Sequence, residues 1–239
     1  MKKIILFLSV AALMVSCQEQ DSANVSRVTN YPNFELLGDD VIIVPKGSAF
    51  VDPGVIVTEG GVEIAYETTV SGEFRGGTSI DTNVEDIYAV TYSATNQDGF
   101  SGQASRTVIV VENGDLSTSI AGLYRGNVVR NGVVSAQYQN LEYVLIWNEG
   151  GNNYHMSDGI GGYYAIGRSY GNAYAAPMDI VANDIPTNSF TIPNYTVGTF
   201  GGVVDNTEFT VNAEGGTINF VSAWDAGFTF NVTLEKVEF

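Results

Sequence analysis

A two-residue alternation of apolar and polar side chains is the feature that most restricts the fold of this 239-residue chain. Successive residues of a β-strand point to opposite faces of the sheet, so such a segment has one apolar and one polar face. The alternation is clearest near the C-terminus, where apolar side chains occupy every second position: Phe228, Phe230, Val232 and Leu234. No helical period competes between residues 31 and 112. The pattern predicts an all-β protein.

The segment 31–112 contains short apolar or alternating runs that are separated by turn-forming residues. Turn sequences recur at Gly38-Asp39-Asp40, Asp52-Pro53-Gly54, Glu59-Gly60-Gly61, Arg75-Gly76-Gly77 and Gln97-Asp98-Gly99. This spacing predicts the short strands of a β-sandwich. Residues 52–55, 88–99 and 106–110 resemble the Ig-like modules of bacterial surface proteins. The resemblance implies an Ig-like sandwich over 31–112 that serves as a spacer.

Residues 113–118 interrupt the strand pattern with turn-forming residues and are predicted to be a linker. Residues 119–239 then form a second antiparallel β domain, which ends in three strands joined by residues 213–216 and 223–227. The pattern does not distinguish a small barrel from a sandwich for this domain.

The N-terminus has the features of a secretory leader. Lys2 and Lys3 precede an apolar run over residues 4–15, which is short for a membrane span but typical of a signal peptide. The run ends in Leu13-Met14-Val15-Ser16-Cys17, which resembles the lipobox of bacterial lipoproteins. The resemblance implies a signal peptide over 1–17 and lipidation of Cys17, although an ordinary secreted protein is the alternative.

Residues 18–30 are polar at first and lack periodicity, so they are predicted to be a flexible tether. The acidic residues just after Cys17 resemble the surface-export signal of Bacteroidetes lipoproteins. The expected location is the outer membrane, with a lipid anchor and with the protein facing the cell exterior. Several acyl chains would make that anchoring effectively permanent.

Charge excludes some partners. The formal net charge is −17, and removal of the leader with its two lysines takes it to about −19. Nucleic acids and anionic membrane surfaces are therefore poor partners. The single cysteine is in the leader and permits no internal disulfide.

A glycine- and tyrosine-rich segment, residues 157–176, is the candidate binding surface. It has little aliphatic content, whereas tyrosine offers a flat apolar face with a polar tip. A glycan would stack on such rings and bond to neighbouring polar groups. The candidate ligand-binding residues are Tyr163, Tyr164, Tyr170, Tyr174, Trp224, Arg168, Asp158 and Asn172. Trp147 follows an apolar run and is expected to be buried, whereas Trp224 lies in a turn and is expected to be exposed. The alternative is that the tyrosines cover the edge of a β core.

This half also resembles the C-terminal β domain that follows Ig-like modules in Bacteroidetes lipoproteins encoded with polysaccharide-uptake systems. Residues 157–164, 167–175 and 224–234 carry the resemblance. It implies a non-catalytic, glycan-binding surface lipoprotein. The alternative is a structural or adaptor lipoprotein that docks on an outer-membrane transporter, and a glycoside hydrolase is a third possibility.

Tests for catalytic and metal-binding motifs are mostly negative. Residues 167–171 match the G-x-S-x-G motif, but no helix is expected after it and the only histidine, His155, precedes it. One histidine and one lipidated cysteine do not make a His/Cys metal site. No motif pairs the acids Asp158, Asp179, Asp184, Glu208 and Asp225 for glycoside hydrolysis. A calcium site near Asp39, Asp40 and Asp52 is an open alternative. We expect no enzyme activity, no metal and no cofactor.

Overall fold

A computed structural model describes residues 28–239. The predicted signal peptide, Cys17 and residues 18–27 of the tether lie outside the described residues. Within 28–239, no helix has the length and the apolar character needed to cross a membrane. The regular secondary structure of these residues is almost entirely β-strand, with only short 3₁₀ helices besides, which confirms the all-β prediction.

The N-terminal part is a two-sheet sandwich. Its strands are β1 (Asn33–Leu36), β2 (Val41–Pro45), β3 (Val55–Glu59), β4 (Val62–Glu63), β5 (Glu67–Gly72), β6 (Asp86–Thr95) and β7 (Ser101–Val111). One sheet has the order β1-β3-β4 and the other β2-β7-β6-β5, in which β2 runs parallel to β7. The alternate residues Tyr88, Val90 and Tyr92 of β6 are 1% exposed and pack in the core. The expected Ig-like sandwich is confirmed.

A buried ion pair explains the Asp52-Pro53-Gly54 sequence. The Arg106 side chain is fully buried, and its Nη1 donates to Asp52 Oδ1 at 2.9 Å. Tyr92 donates its hydroxyl to Asp52 Oδ2 at 2.6 Å, and Gly54, at φ +83°, lets the chain turn back toward this carboxylate. Arg106 also donates to the Leu37 carbonyl at 2.6 Å. The network ties the 37–54 region to β7.

The C-terminal part is one nine-stranded antiparallel sheet. Its strands are β8 (Gly122–Arg130), β9 (Leu141–Gly150), β10 (Asn153–Met156), β11 (Met178–Asp184), β12 (Ser189–Thr191), β13 (Tyr195–Val197), β14 (Gly201–Asn212), β15 (Thr217–Trp224) and β16 (Phe228–Lys236). The order is β12-β11-β10-β9-β8-β16-β15-β14-β13. The predicted meander of the last three strands is confirmed by their register, in which Phe220 lies opposite Val232.

The sheet curls into a half-barrel, which answers the open question of barrel or sandwich. Its two ends lie close together: the Phe190 ring is 4.8 Å from the Phe209 ring, and Asn188 accepts a hydrogen bond from the Val211 amide. No strand pairing joins the two ends, so the barrel is not closed. The apolar face predicted from the alternation lies inside the curl, where Phe230 and Leu234 are fully buried.

The opposite face of β8 and β9 packs against the N-terminal sandwich. Ile109 and Val111 of β7 form a buried apolar cluster with Leu123, Leu145 and Trp147. At its edge the Phe74 and Trp147 rings stack at 6.1 Å, and Arg75 pairs with Glu149 at 2.9 Å. Trp147 is buried, as expected. The two halves therefore share an apolar interface.

Residues 113–118 form a compact turn between the two halves. Asp115 accepts hydrogen bonds from the backbone amides of Ser117 and Thr118, and these bonds lower its pKa to about 2. The Leu116 side chain is 2% exposed and belongs to the C-terminal core. This segment is thus an ordered part of the C-terminal half.

Candidate functional site

Four connections meet at one end of the half-barrel. The strand register places Arg130 of β8 beside Phe230, and Trp224 beside both Phe228 and Val204. The connections that follow β8, β10, β13 and β15 therefore leave the sheet at the same end, and they comprise residues 131–140, 157–177, 198–200 and 225–227. The glycine- and tyrosine-rich segment is the longest of them.

The first half of that segment, residues 157–165, is buried inside the curl. Its glycines permit close approach to the sheet: a Cβ on Gly161, at φ +68°, would lie 2.6 Å from Val232. A Cβ on Gly126 of β8 would lie 2.3 Å from the Gly161 carbonyl oxygen. Tyr163 is 1% exposed and stacks on Tyr138 at 4.0 Å. Tyr163 is therefore part of the C-terminal core.

Asp158 joins the two ends of the segment. Its Oδ1 accepts the backbone amides of Ile160 at 2.9 Å and of Ala176 at 3.4 Å, whereas its buried Oδ2 has no hydrogen-bond partner. Burial raises the pKa of this carboxyl to about 7, although its backbone hydrogen bonds act in the opposite direction. Asp158 is thus a structural acid inside the core, and it does not reach a surface where a ligand could bind.

The second half of the segment and the connection that contains Phe200 together carry exposed aromatic rings. Tyr170 and Phe200 are each 46% exposed, and Tyr174 lies between them, 5.3 Å from Tyr170 and 4.9 Å from Phe200. We call Tyr170, Tyr174 and Phe200 the aromatic rim. A short 3₁₀ helix, Asn172–Tyr174, presents the middle ring, and another, Gly198–Phe200, presents the third.

Two predicted binding residues support the rim from below. Tyr164 is 7% exposed and lies 5.0 Å from Phe200, and Trp224 is 9% exposed and lies 6.1 Å from Phe200. Trp224 also donates its indole N–H to the Gly201 carbonyl at 3.1 Å. The expectation that Trp224 is exposed was wrong, because its position in β15 points it into the curl beside Phe228.

The polar candidates Arg168 and Asn172 lie on different sides of the segment. Arg168 is exposed, and the nearby hydroxyls of Tyr163, Tyr170 and Tyr138 raise its pKa above its ordinary value. Asn172 is half-buried and faces Glu73 of the N-terminal sandwich. Arg168 therefore lies beside the rim, whereas Asn172 lies at the seam between the halves.

A cleft of about 490 Å³ follows that seam. Phe74 and Glu73 line it from the N-terminal side, and Tyr143, Ile166 and Asn172 line it from the C-terminal side. Desolvation and the neighbouring Asp86 raise the pKa of Glu73. The segment 166–172 thus has the cleft on one side and the rim on the other.

The residues tested for catalysis have other partners. His155 Nδ1 lies 2.5 Å from Asp179 Oδ1, and the ring packs on Trp147 at 4.7 Å. The hydroxyl of Ser169, the serine of the G-x-S-x-G match, bonds to the Ile166 carbonyl. Asp158 is buried, and the remaining candidate acids, Asp179, Asp184, Glu208 and Asp225, are exposed.

The calcium alternative rested partly on Asp52, which Arg106 and Tyr92 engage. Among residues 28–239, no group of three or more His, Cys, Asp or Glu side chains is placed to hold a metal ion.

Sequence reasoning missed Phe200, which completes the aromatic rim. Its signal was present, because Phe200 stands between Gly198 and the pair Gly201-Gly202, and all three glycines have positive φ. That composition is the same mixture of glycine and aromatic residues that marked residues 157–176.

Comparisons with known proteins agree with this architecture. A family model for the Ig-like domain of bacterial surface proteins matches residues 34–110, and a family model for a C-terminal domain matches residues 113–236. The crystal structure of the lipoprotein BT2262 from Bacteroides thetaiotaomicron is similar, with a TM-score of 0.65 and 26% sequence identity. The match covers 86% of this chain and 100% of that one. No curated protein matches.

These matches confirm the resemblance of the N-terminal part to bacterial surface Ig-like modules and the likeness of the chain to a Bacteroides lipoprotein, and they indicate a location at the bacterial cell surface. The second family model covers more than half of the chain. The chain therefore belongs to the family that this C-terminal-domain model describes, and in this chain that domain follows a bacterial surface Ig-like domain.

Proposed function

We propose that this protein is a non-catalytic surface lipoprotein that binds a glycan at the aromatic rim as part of a polysaccharide-uptake system. The observation that carries the proposal is the exposure of Tyr170 and Phe200, each 46%, on either side of Tyr174. Exposed apolar patches that are rimmed by polar residues often mark binding sites.

Glycan binding requires an apolar face and polar groups beside it. The C–H face of a sugar ring packs on a flat aromatic ring, and hydroxyls at the edge need hydrogen-bond partners. Tyr170 and Phe200 supply the rings, whereas Arg168 and the Tyr174 hydroxyl supply polar groups. Tyr164 and Trp224 hold Phe200 in place from the core side. Such preorganisation reduces the entropy lost on binding.

A glycan array tests this proposal. The wild-type chain is expected to retain at least one glycan that the double variant Tyr170→Ala/Phe200→Ala loses. Stacking on an aromatic ring contributes about 1–3 kcal/mol for nucleobases, and a sugar should fall near the lower limit. Removal of two rings should therefore weaken binding by about tenfold or more.

The chain offers a matched control for these variants. Tyr31 and Phe100 are exposed rings, 63% and 46%, whose centroids are 5.3 Å apart on the N-terminal sandwich. Tyr31→Ala/Phe100→Ala removes the same kind of surface from a different place, so it should leave glycan binding unchanged. Equal losses in both double variants, or no ligand on a broad array, would remove the support for this proposal.

A second candidate function is docking on an outer-membrane transporter. Val133 and Val134 in the connection after β8 are 67% and 69% exposed, and Val203 near the rim is 46% exposed. An adaptor would bind its partner through these exposed valines. If the protein is an adaptor, Val133→Asp/Val134→Asp should abolish its co-purification with a transporter and leave glycan retention intact. If it binds glycans without a partner, the same variant should change neither co-purification nor glycan retention.

The anchor is part of the proposal. Cys17, lipidated after cleavage of the leader, would hold the protein in the outer membrane with its domains facing the cell exterior. Cys17→Ala should release the protein from the outer-membrane fraction. Full retention of that variant after fractionation would contradict the anchor.

A further inference from the structure

Two arginines beside the aromatic rim differ from the other basic residues of the described chain. Within residues 28–239 the remaining lysines and arginines each have a carboxylate partner: Lys46, Arg75, Arg106, Arg125 and Lys236. Arg130 and Arg168 have no carboxylate within ion-pairing distance in this part of the chain. In a chain with 27 acids and a net charge of −17, unpaired guanidinium groups are unexpected.

Both arginines converge on the same ring. The guanidinium carbon of Arg130 lies 5.0 Å from the centroid of Tyr163 and 4.8 Å from that of Phe228, and the guanidinium carbon of Arg168 lies 6.0 Å from the Tyr163 centroid. Ring faces stabilise these cations by cation–π attraction without neutralising their charge. Their positive charge is therefore not neutralised and can attract an anion.

The position of the pair links it to the rim. Arg168 is two residues from Tyr170 in the chain and lies near its hydroxyl. Arg130 packs on Phe228, whose ring lies 5.7 Å from Trp224, the residue below Phe200. A sugar stacked on Tyr170 could thus bring an acidic substituent to Arg168.

We propose that the ligand of the rim is an anionic glycan, whose carboxylate or sulfate groups are bound by Arg130 and Arg168. This inference rests on the proposed function and specifies its substrate class. Guanidinium groups match the planar, two-oxygen geometry of such anions. The large negative charge of the protein opposes this only weakly, because charges beyond about 8 Å are screened at physiological ionic strength.

Two pairs of probes test the inference by changing charge on a constant backbone. Polygalacturonate is compared with its fully methyl-esterified form, and dextran sulfate with dextran. We expect the charged member of at least one pair to bind at least tenfold more tightly than the uncharged member, with an affinity that falls as salt is added. The pair that shows the difference identifies carboxylate or sulfate as the recognised group.

Matched variants assign the effect to the two arginines. Arg168→Gln should weaken binding of the charged probe about fivefold, in line with exposed ion pairs, and Arg130→Gln/Arg168→Gln should weaken it further. Arg125→Gln removes a guanidinium that Glu142 already neutralises at 2.8 Å, so it should change affinity less than twofold. Because Arg168 is exposed, its single variant keeps the test valid even if Arg130→Gln disturbs packing.

The outcomes separate this inference from the proposed function. Equal binding of charged and uncharged members, with continued dependence on Tyr170 and Phe200, would overturn the anion inference and leave glycan binding in place. Failure of both charged probes to bind while neutral glycans bind would also overturn it. Absence of any glycan ligand would overturn both.

Discussion

Asp158 should make the stability of the protein fall as the pH rises from 5 to 8. This carboxyl is buried with an unpartnered oxygen, and burial raises its pKa from the ordinary value of 3.8 to about 7. The folded state therefore holds the proton more tightly than the unfolded state. The stabilisation is fully present below pH 4 and is lost as the pH rises through 7.

The magnitude follows from the two pKa values. Each pH unit between them changes the free energy of unfolding by about 1.4 kcal/mol, so the interval from pH 5 to pH 8 should cost about 2–3 kcal/mol. For a chain of this length that corresponds to a fall in Tm of roughly 5–10 °C. Glu73 has a pKa shifted in the same direction and adds to the slope. Asp115, with a pKa of about 2, acts only below pH 4.

Thermal unfolding of the wild-type chain and of Asp158→Asn at pH 5, 6, 7 and 8 measures the effect. The asparagine keeps an oxygen that can accept the Ile160 and Ala176 amides but carries no charge. The variant should show a clearly shallower pH dependence, whereas Glu73→Gln should remove a smaller part of the slope. Identical pH profiles for the wild type and Asp158→Asn would refute this account of the buried segment.

Three further predictions test packing in the C-terminal core, in the N-terminal sandwich and at the interface between the halves. Gly161→Ala should destabilise the fold by at least about 2 kcal/mol, since a strained φ is combined with a clash 2.6 Å from Val232. Gly216→Ala, at φ +64° with open space around it, should cost only about 1 kcal/mol in a urea titration of both variants; equal costs would contradict the close approach of Gly161 to the sheet. Asp52→Asn should leave the buried Arg106 without its counter-ion and cost about 3–5 kcal/mol, and an unchanged urea midpoint would contradict the ion-pair network. Trp147→Ala should cost about 3–5 kcal/mol by opening the apolar interface between the halves, and a full-chain melt that stays unchanged would show that the interface contributes little.

The strands were predictable because each carries its own signal. Phe228, Phe230 and Val232 alternate with polar residues, and because only one face of the strand is buried, that alternation determines which side chains face the core. The same rule would have corrected the prediction for Trp224, which lies an even number of residues from Ile218 and Phe220 along the strand and therefore points inward with them. The turn residues that follow it favoured exposure in the sequence reading, but the strand continues as far as the tryptophan.

The glycine- and tyrosine-rich segment was harder to interpret because its glycines have partners far away in sequence. Position 161 must be a glycine because Val232 lies too close for a side chain there, and Gly126 is needed because it packs against the Gly161 carbonyl oxygen. No local sequence pattern links these positions. Composition alone could not divide the segment into a buried half with Tyr163 and an exposed half with Tyr170. Likewise, the contact of Phe200 with Tyr174 depends on how two separate connections meet at one end of the sheet.

The most direct test of glycan binding at the rim is amide hydrogen exchange of the full chain with and without the glycan that the array identifies. Binding at the rim should slow exchange in residues 166–176 and 198–204 and leave residues 31–36 and 96–101, around the exposed pair Tyr31 and Phe100, unchanged. Protection confined to the N-terminal sandwich, or no protection anywhere at a saturating glycan concentration, would contradict the account.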